Sequence, residues 1–252
     1  MTWRYFSTKL AGAGFALSMF FLYLFFVENF NLFNFVEATS NWWIWAIIFI
    51  YGFISSSIID WLAKKWSILD SYKVIAYILA GFFFFFIFGM SIFAVIAGVV
   101  GAIVAVVFFG GEWLAKHSKK FTTVFIIMPL FFFVLLQFDF TVKKDWQEKR
   151  NDEEYTATFK YFNGEHKIPF ELESGDVLTY TIQTQSANGG GYGKSFQGER
   201  GNLIGQTLLD DETLQVEIEK AGIYNIVLTG DKLAGKFIVT WKLEKTPKNG
   251  AI

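Results

Sequence analysis

The stretch that decides the fold of the first half runs from Val74 to Gly111 and reads VIAYILAGFFFFFIFGMSIFAVIAGVVGAIVAVVFFGG, 38 residues without a charged side chain. As one helix it would be roughly 57 Å long, nearly twice the hydrocarbon thickness of a bilayer. Two spanning helices that meet in a tight turn at Gly89-Met90-Ser91 fit this length much better. The stretch therefore predicts a helical hairpin within a membrane.

Three further apolar stretches flank this hairpin and are close to spanning length. Together with the hairpin they predict a five-span α-helical bundle over residues 1–138. The predicted spans are, in chain order, residues 10–27, 42–62, 74–89, 92–111 and 121–138, each within a few residues. We interpret the first stretch as a retained anchor, and the alternative is a signal peptide that is cleaved.

The composition divides the chain in the same place. Residues 1–139 hold 8 Lys/Arg and 6 Asp/Glu, whereas residues 140–252 hold 14 and 17, and 27 of the 32 Phe lie in the first 140 residues. This contrast indicates a lipid-embedded half and a water-soluble half. A net charge of −1 and the absence of Cys disfavour a nucleic-acid binder and exclude a disulfide scaffold.

Lysine and arginine positions predict the orientation. Eight of them, from Arg4 to Lys120, fall on one side of a five-span bundle, and four follow the last span, from Lys143 to Arg150. Because cytoplasmic loops carry the excess of positive charge, we expect a cytoplasmic N-terminus and an extracytoplasmic C-terminal half. The expected localisation is the cell membrane, as a multi-pass protein, and the lack of Cys is compatible with a Gram-positive bacterium.

Small residues recur every four positions along the fourth predicted span. They form two rows, Ala94, Gly98 and Ala102, and Ala97, Gly101 and Ala105. Small side chains at this spacing let two helix backbones approach closely. The rows predict a helix-packing face, either within the bundle or against a partner subunit or a second copy of the chain.

Ionisable groups, which transport across a membrane requires, are few in the predicted spans. Glu28, Asp60, Glu112 and Asp139 all fall near span ends, and Lys9 precedes the first span. We therefore expect no paired acid and base within any span. This disfavours an ion-coupled transporter and an intramembrane enzyme.

The periodicity changes beyond residue 139. Residues 139–154 are highly charged and predict a linker or a short helical stalk. Over 155–245 apolar and polar residues alternate in short runs, with turn signals such as Asn163-Gly164 and Thr229-Gly230-Asp231 between them. This pattern favours an all-β antiparallel sandwich of about seven or eight strands, and 246–252 would form a tail.

Three runs in this half carry a resemblance to a known type of domain. They are Phe170 to Leu178 (FELESGDVL), Gly222 to Gly230 (GIYNIVLTG) and Gly235 to Val239 (GKFIV). A strand opened by Gly-Asp, a Gly-x-Tyr strand and a closing strand after a Gly turn resemble the jelly-roll sandwiches of the GOLD and bacterial pre-peptidase C-terminal type. The resemblance covers about 80–90 of the 252 residues. It implies a binding or chaperoning module that brings no catalytic residues.

The Gly-rich segment from Asn188 to Ser195 (NGGGYGKS) predicts a long mobile loop between strands. A phosphate-binding loop would need Gly at position 188, and no helical pattern follows the segment. Long loops often carry binding contacts. The candidate contacts to a partner or ligand are Tyr192, Lys194, Phe196 and Arg200.

The sequence gives little indication of a metal site or a hydrolytic active site. The two histidines, His117 and His166, fall on opposite predicted sides of the membrane, and no Cys is available for zinc. Asp210, Asp211 and Glu212 could bind Ca²⁺ weakly at a loop, but their pattern favours a solvated turn over a metal site. We therefore predict no catalytic residue, no metal and no cofactor.

Together these observations favour a non-enzymatic membrane protein with an extracytoplasmic binding module. Its expected role is an accessory or sensory subunit of an envelope or transport complex, with the bilayer, membrane-protein subunits and an envelope ligand or peptide as partners. One alternative is an immunity protein that shields its cell from a membrane-active peptide. Another is a lipid-handling or transport protein.

Overall fold

The computed structural model describes residues 3–210 and 212–245. The chain divides into two compact units, Met1–Asp139 and Phe140–Ile252. The first unit is helical and the second is an antiparallel β-sheet. The expected order of a helical domain and a β domain is therefore confirmed, whereas the expected tail at 246–252 lies outside the described residues.

The described part of the first unit contains eight α-helices. They are α1 (Trp3–Val27), α2 (Leu32–Thr39), α3 (Trp42–Ala46), α4 (Gly52–Lys65), α5 (Ser67–Ser71), α6 (Lys73–Phe83), α7 (Ile92–His117) and α8 (Lys119–Leu135). A π-helical turn at Ile47–Tyr51 joins α3 to α4, and a 3₁₀ turn at Phe84–Phe88 extends α6. The loop between the first two predicted spans thus contains a short helix that the sequence pattern did not indicate.

In the part of the chain that the structure describes, three helices are long and apolar enough to cross a membrane: Trp3–Val27, Trp42–Lys65 and Ile92–His117. A shorter apolar helix covers Lys73–Phe88. Between this helix and α7 the chain turns at Gly89, whose φ of +122° suits a residue without a Cβ atom. Ser91 then caps α7 by accepting the N–H of Ala94 at 3.1 Å.

The helical core forms around α1, because its small residues let other helices approach. A Cβ atom at Gly12 would lie 2.8 Å from Cγ of Glu112 on α7, which leaves no space for a larger residue. Leu17 and Phe21 follow on the same helix and are fully buried in the apolar core, where Phe108 of α7 also lies. The close approach of α1 and α7 is what brings their polar residues together.

The second unit is an eight-stranded antiparallel sheet in the order β1-β3-β8-β4-β7-β6, in which β2 pairs with β3 and β5 with β8. The strands are β1 (Val142–Lys144), β2 (Gln147–Arg150), β3 (Glu154–Leu172), β4 (Val177–Ser186), β5 (Gly191–Gly198), β6 (Thr207–Leu208), β7 (Thr213–Glu217) and β8 (Gly222–Glu244). The prediction of a linker or helical stalk at 139–154 is wrong. This segment forms the strands β1 and β2, and both strands pair with β3.

Two long strands, β3 and β8, pair along nearly their whole length and hold the unit together. The expected turn at Asn163-Gly164 is instead an irregularity within β3, where the register shifts between Phe159 and Gly164. Gly164 has a φ of +138°, and Thr141 lies against it. A β-bulge bends a strand without ending it, so the turn signals marked bends in a continuous strand.

The core of the β unit is one apolar cluster, to which both long strands contribute their inward-facing residues. Phe159, Phe162 and Ile168 of β3 meet Leu228 and Phe237 of β8 in it, and all five are buried. This arrangement is sandwich-like, as the alternating pattern predicted.

Candidate functional site

The helical unit encloses a network of polar side chains contributed by four helices. Its centre is the ammonium of Lys9 on α1, whose side chain is only 1% exposed. Glu112 on α7 is 2% exposed, and Ser56 on α4 and Tyr77 on α6 are also buried. Ionisable groups at such depth are expensive to bury, and in a membrane they usually mark function.

Lys9 bridges two carboxylates. Its Nζ lies 2.8 Å from Oε1 and 2.9 Å from Oε2 of Glu112, and 2.6 Å from Oδ2 of Asp60 on α4. The expectation that no span offers a paired acid and base is therefore wrong. The three groups together carry two negative charges and one positive charge.

Glu112 is held by donors from three helices. Besides Lys9, the hydroxyl of Ser56 donates to Oε1 at 2.7 Å and the hydroxyl of Tyr77 donates to the same atom at 3.2 Å. Several donors of this kind satisfy the lone pairs of a carboxylate that is buried away from solvent.

Asp60 connects this centre to the end of the helices. The hydroxyl of Tyr5 donates to its Oδ2 at 3.1 Å, and Nζ of Lys73 on α6 lies 3.5 Å from its Oδ1. Lys73 also pairs with Asp70 on α5 at 2.8 Å. The network thus extends from the buried Glu112 to groups that reach solvent.

Sequence spacing carries a signal for the polar faces of these helices, although not for which faces meet. Three of its helices contribute a pair of polar residues four positions apart, and such pairs share one helix face. The pairs are Tyr5 and Lys9, Ser56 and Asp60, and Lys73 and Tyr77. The closeness of each charged residue to a span end, which was the only criterion applied to the sequence, does not show that the three polar faces lie at the same depth.

An apolar cavity of about 270 Å³ adjoins the network. Residues of α1, α4, α6, α7 and the turns beside them line it, among them Gly52, Ala80 and Val100. Tyr77 belongs both to this lining and to the polar network. The helical unit therefore places an apolar cavity directly beside buried charged side chains.

The predicted packing face of α7 lies partly against α6. A Cβ atom at Gly98 would come within 2.7 Å of the carbonyl oxygen of Phe82, and Gly101 is in close contact with Gly81. Ala94 is buried, and Ala97, Ala102 and Ala105 are half-buried. Contact of these rows with another subunit stays a prediction.

The predicted ligand loop is mostly a strand. Tyr192 and Lys194 lie exposed on β5, and Arg200 follows in the turn after it. Phe196 is fully buried, and its ring stacks with those of Tyr180 and Tyr224. Phe196 therefore belongs to the core and is not available to a partner, in contrast to our expectation.

The β unit has a polar cluster of its own around His166, which sequence reasoning left without a role. Nζ of Lys143 lies 2.7 Å from Nδ1 of His166, and the Tyr155 hydroxyl lies 2.6 Å from Nε2. The same hydroxyl donates to Oε2 of Glu148 at 2.7 Å, and the Trp146 indole N–H donates to that oxygen at 2.7 Å. These contacts assign a neutral imidazole whose Nε2–H donates to Tyr155 and whose Nδ1 accepts from Lys143.

The pKa values in this cluster follow from its contacts. Burial, together with the Lys143 charge, lowers the pKa of His166 to about 4, although the Glu148 carboxylate opposes this shift. Hydrogen bonds from Trp146 and Tyr155 hold the pKa of Glu148 below its ordinary value. At neutral pH the cluster therefore combines a neutral imidazole with a carboxylate.

In the described ranges 3–210 and 212–245, no group of three or more His, Asp or Glu side chains is arranged to hold a metal ion. Of the weak Ca²⁺ candidates, Asp211 lies outside these ranges. Asp210 accepts backbone N–H groups from Glu212 and Thr213, which is the geometry of a capped turn.

Comparison with known proteins finds no matching family model and no matching curated protein. The resemblance to the GOLD and pre-peptidase C-terminal sandwiches thus stays a prediction. Function has to be inferred from the two units themselves.

Proposed function

We propose that this chain is a non-enzymatic integral membrane protein in which a five-span helical bundle carries an extracytoplasmic β-sandwich binding module. It would act as an accessory or sensory subunit of an envelope or transport complex. The observation that supports this most is the division of the chain into a helical unit, with three helices suited to cross a membrane, and a β unit with its own core.

The helical unit also supports an anchoring and sensing role. The ammonium of Lys9 pairs with the carboxylates of Asp60 and Glu112. These ion pairs join α1, α4 and α7. A buried network that joins three helices couples their positions, which suits a subunit whose helical unit responds as a whole to a signal.

The proposed topology can be tested by cysteine labelling, because the chain has no Cys of its own. We expect Glu199→Cys, on the exposed turn after β5, to react with a membrane-impermeant maleimide in intact cells. Lys120→Cys, at the exposed start of α8, should react only after permeabilisation. The reverse pattern would refute the extracytoplasmic placement of the β unit.

The proposed role as a subunit is tested by purification in nanodiscs from native membranes, followed by mass spectrometry. Recovery of a permease, an ATPase or a histidine kinase in near-equal amount would support it. The test variant is Ile103→Ala on the exposed face of α7, which should reduce the recovery of the partner subunit. The matched control is Ile75→Ala on the exposed face of α6, which should not. Recovery of the chain alone, or as a homo-oligomer, would contradict the role and favour the immunity function.

The cavity of about 270 Å³ favours a second candidate, a lipid-handling protein. Val100 lines the cavity, whereas the neighbouring Val99 is exposed on the outside of the same helix and does not. If the cavity holds a lipid tail, Val100→Phe should reduce the lipid that co-purifies with the protein and Val99→Phe should not. Equal lipid content in both variants would remove this candidate.

A further inference from the structure

A continuous series of acidic and basic groups leads from the surface of the helical unit to its interior. Consecutive members alternate between carboxylate and ammonium. In order, with the exposed fraction of each side chain, they are Asp70 (67%), Lys73 (24%), Asp60 (15%), Lys9 (1%) and Glu112 (2%). Solvent access thus falls steadily along the series and is lost at its last two members.

Each step of this series is short enough for direct contact or nearly so. Asp70 and Lys73 are 2.8 Å apart, Lys73 and Asp60 are 3.5 Å apart, and Asp60 and Lys9 are 2.6 Å apart. The last step, from Lys9 to Glu112, is 2.8 Å. At 2.6–2.8 Å a proton can pass directly between donor and acceptor. The 3.5 Å step from Lys73 to Asp60 needs a small movement of the Lys73 side chain or one bridging water.

The buried end has one negative charge in excess. Lys9 is shared between two carboxylates, and Lys73 is drawn to the exposed Asp70 as well as to Asp60. An uncompensated charge is costly in an apolar interior. Lys9 already fills the space between the carboxylates, so the cation that can still enter is a proton.

The series ends at Glu112. The groups that face it are Lys9 from α1, Ser56 and, through Lys9, Asp60 from α4, and Tyr77 from α6. Beyond Tyr77 lies the cavity, whose lining, among the described residues, contains no carboxylate or amine that would continue the series. The alternation of acidic and basic groups therefore stops at Glu112.

We propose that Asp70, Lys73, Asp60 and Lys9 form a proton-entry path whose terminal binding site is the carboxylate of Glu112. Lys73 transfers a proton to Asp60 and regains one from hydronium at Asp70. Lys9 transfers a proton to Glu112 and regains one from Asp60. The net reaction converts one hydronium ion to water and the Glu112 carboxylate to a carboxylic acid, and O–H and N–H bonds are the only bonds exchanged.

This proposal goes beyond the proposed function and does not depend on it, since it concerns the helical unit alone. The test is infrared difference spectroscopy of the full chain in detergent, comparing acidic with neutral solution. We expect a protonated-carboxyl band that shifts when the chain is made with ¹³C-labelled glutamate. Because this measurement needs no mutation, it cannot fail through misfolding. A band that does not shift with the label would overturn the assignment.

Variants then separate the site from the path. Glu112→Gln should take up one proton per chain less than the wild type. The matched control, Glu37→Gln, changes an exposed glutamate of α2, and it should leave the buried-carboxyl band in place. Retention of the band in Glu112→Gln, or its loss in Glu37→Gln, would contradict the proposal.

The path predicts a kinetic effect. In a rapid acid jump, Asp60→Asn should slow the rise of the Glu112 band by about tenfold or more. Because it also removes the excess negative charge beside Lys9, it should reduce the final size of the band at a given pH. Tyr77→Phe removes a neighbour of Glu112 that is not on the path, so it should alter the frequency of the band but not the rate. An unchanged rate in Asp60→Asn would show that protons reach Glu112 by another way.

Discussion

Lowering the pH should weaken the β unit through one side chain, the imidazole of His166. Its side chain is only 15% exposed, and Lys143 approaches Nδ1. Burial and this charge lower the pKa of His166 to about 4, against an ordinary value of 6.5. Protonation would turn Nδ1 into a donor that faces the Lys143 ammonium.

The sign and the size of the effect follow from these two pKa values. The unfolded chain binds the proton with the ordinary pKa of 6.5 and the folded unit with a pKa of about 4, so the stabilisation is complete above pH 6.5. It is lost as the pH falls between these values. A difference of about 2.5 pKa units corresponds to about 3 kcal/mol, of which about 2 kcal/mol is lost by pH 5. Glu148, with an ordinary pKa of 4.5, contributes mainly below this window.

The titration can be measured by NMR on the full chain in detergent with ¹⁵N-labelled histidine. Two imidazoles are present in the sequence, and His117→Gln assigns the signals. Hydrogen exchange of β3 and β8 peptides, corrected for the intrinsic pH dependence, then reports the opening free energy of the unit. We expect this free energy to fall by about 2 kcal/mol between about pH 7 and 5.

The matched variant is His166→Gln, which keeps a polar side chain at this position but does not titrate. Its opening free energy should be flat over the same pH range, whereas His117→Gln should behave like the wild type. A His166 signal that titrates at or above pH 6.5, or equal pH dependence with and without His166, would refute the assignment of the acid sensitivity to this imidazole.

Three further changes test the packing of both units in the full chain. Lys9→Met leaves the buried carboxylate of Glu112 without its ammonium, whereas the half-buried Asp60 keeps Lys73, and it should destabilise the helical unit by about 3–5 kcal/mol in detergent melting. Gly98→Ala should lower that melting temperature, because its Cβ would meet a carbonyl oxygen at 2.7 Å, whereas Gly110→Ala, with nothing within 4 Å, should not. Phe196→Ala should cost the β unit about 3–5 kcal/mol by hydrogen exchange, and Tyr192→Ala on the same strand should be nearly neutral.

The outcomes that would contradict these three predictions are specific. Lys64→Met, at an exposed lysine of α4, is the control for the loss of a positive charge, and an equal effect of both lysine variants would refute the network energetics. Equal melting temperatures for the two glycine variants would refute close packing of α6 and α7. Equal exchange in the two β5 variants would place Phe196 outside the core.

The helical hairpin and the β class were predictable because both depend on local sequence. A run of 38 uncharged residues exceeds one span, and Gly89 with Ser91 supplies the turn and the cap that end one helix and begin the next. Alternating residues beyond 155 likewise have to face a core on one side. Neither conclusion requires knowledge of which helix lies beside which.

The polar network was not predictable in the same way, because its contacts join residues that are far apart in sequence. Lys9 and Glu112 are 103 positions apart, and Ser56 and Glu112 are 56 apart. No periodicity shows that these helices share a face. The four-residue spacing within each helix was visible, and it indicated polar faces without identifying their partners.

The β strands were mislocated where a turn signal and a strand irregularity use the same residues. Asn163-Gly164 is typical of a hairpin turn, yet in this unit it lies within β3, where Gly164 pairs with Gly230 of β8. Phe196 was assigned to a loop because of the glycines before it. Its burial depends on Tyr180 and Tyr224, which belong to other strands.

The position of β8 in the sheet has a consequence for the biosynthesis of the protein. β8 pairs with β3, β4 and β5, yet it is the last of the described strands to leave the ribosome. Until residues 222–244 emerge, those three strands present open hydrogen-bonding edges and an uncovered apolar face. The nascent β unit therefore has to be kept from aggregation until its central strand arrives, and a chain that stops before Gly222 cannot form the sheet.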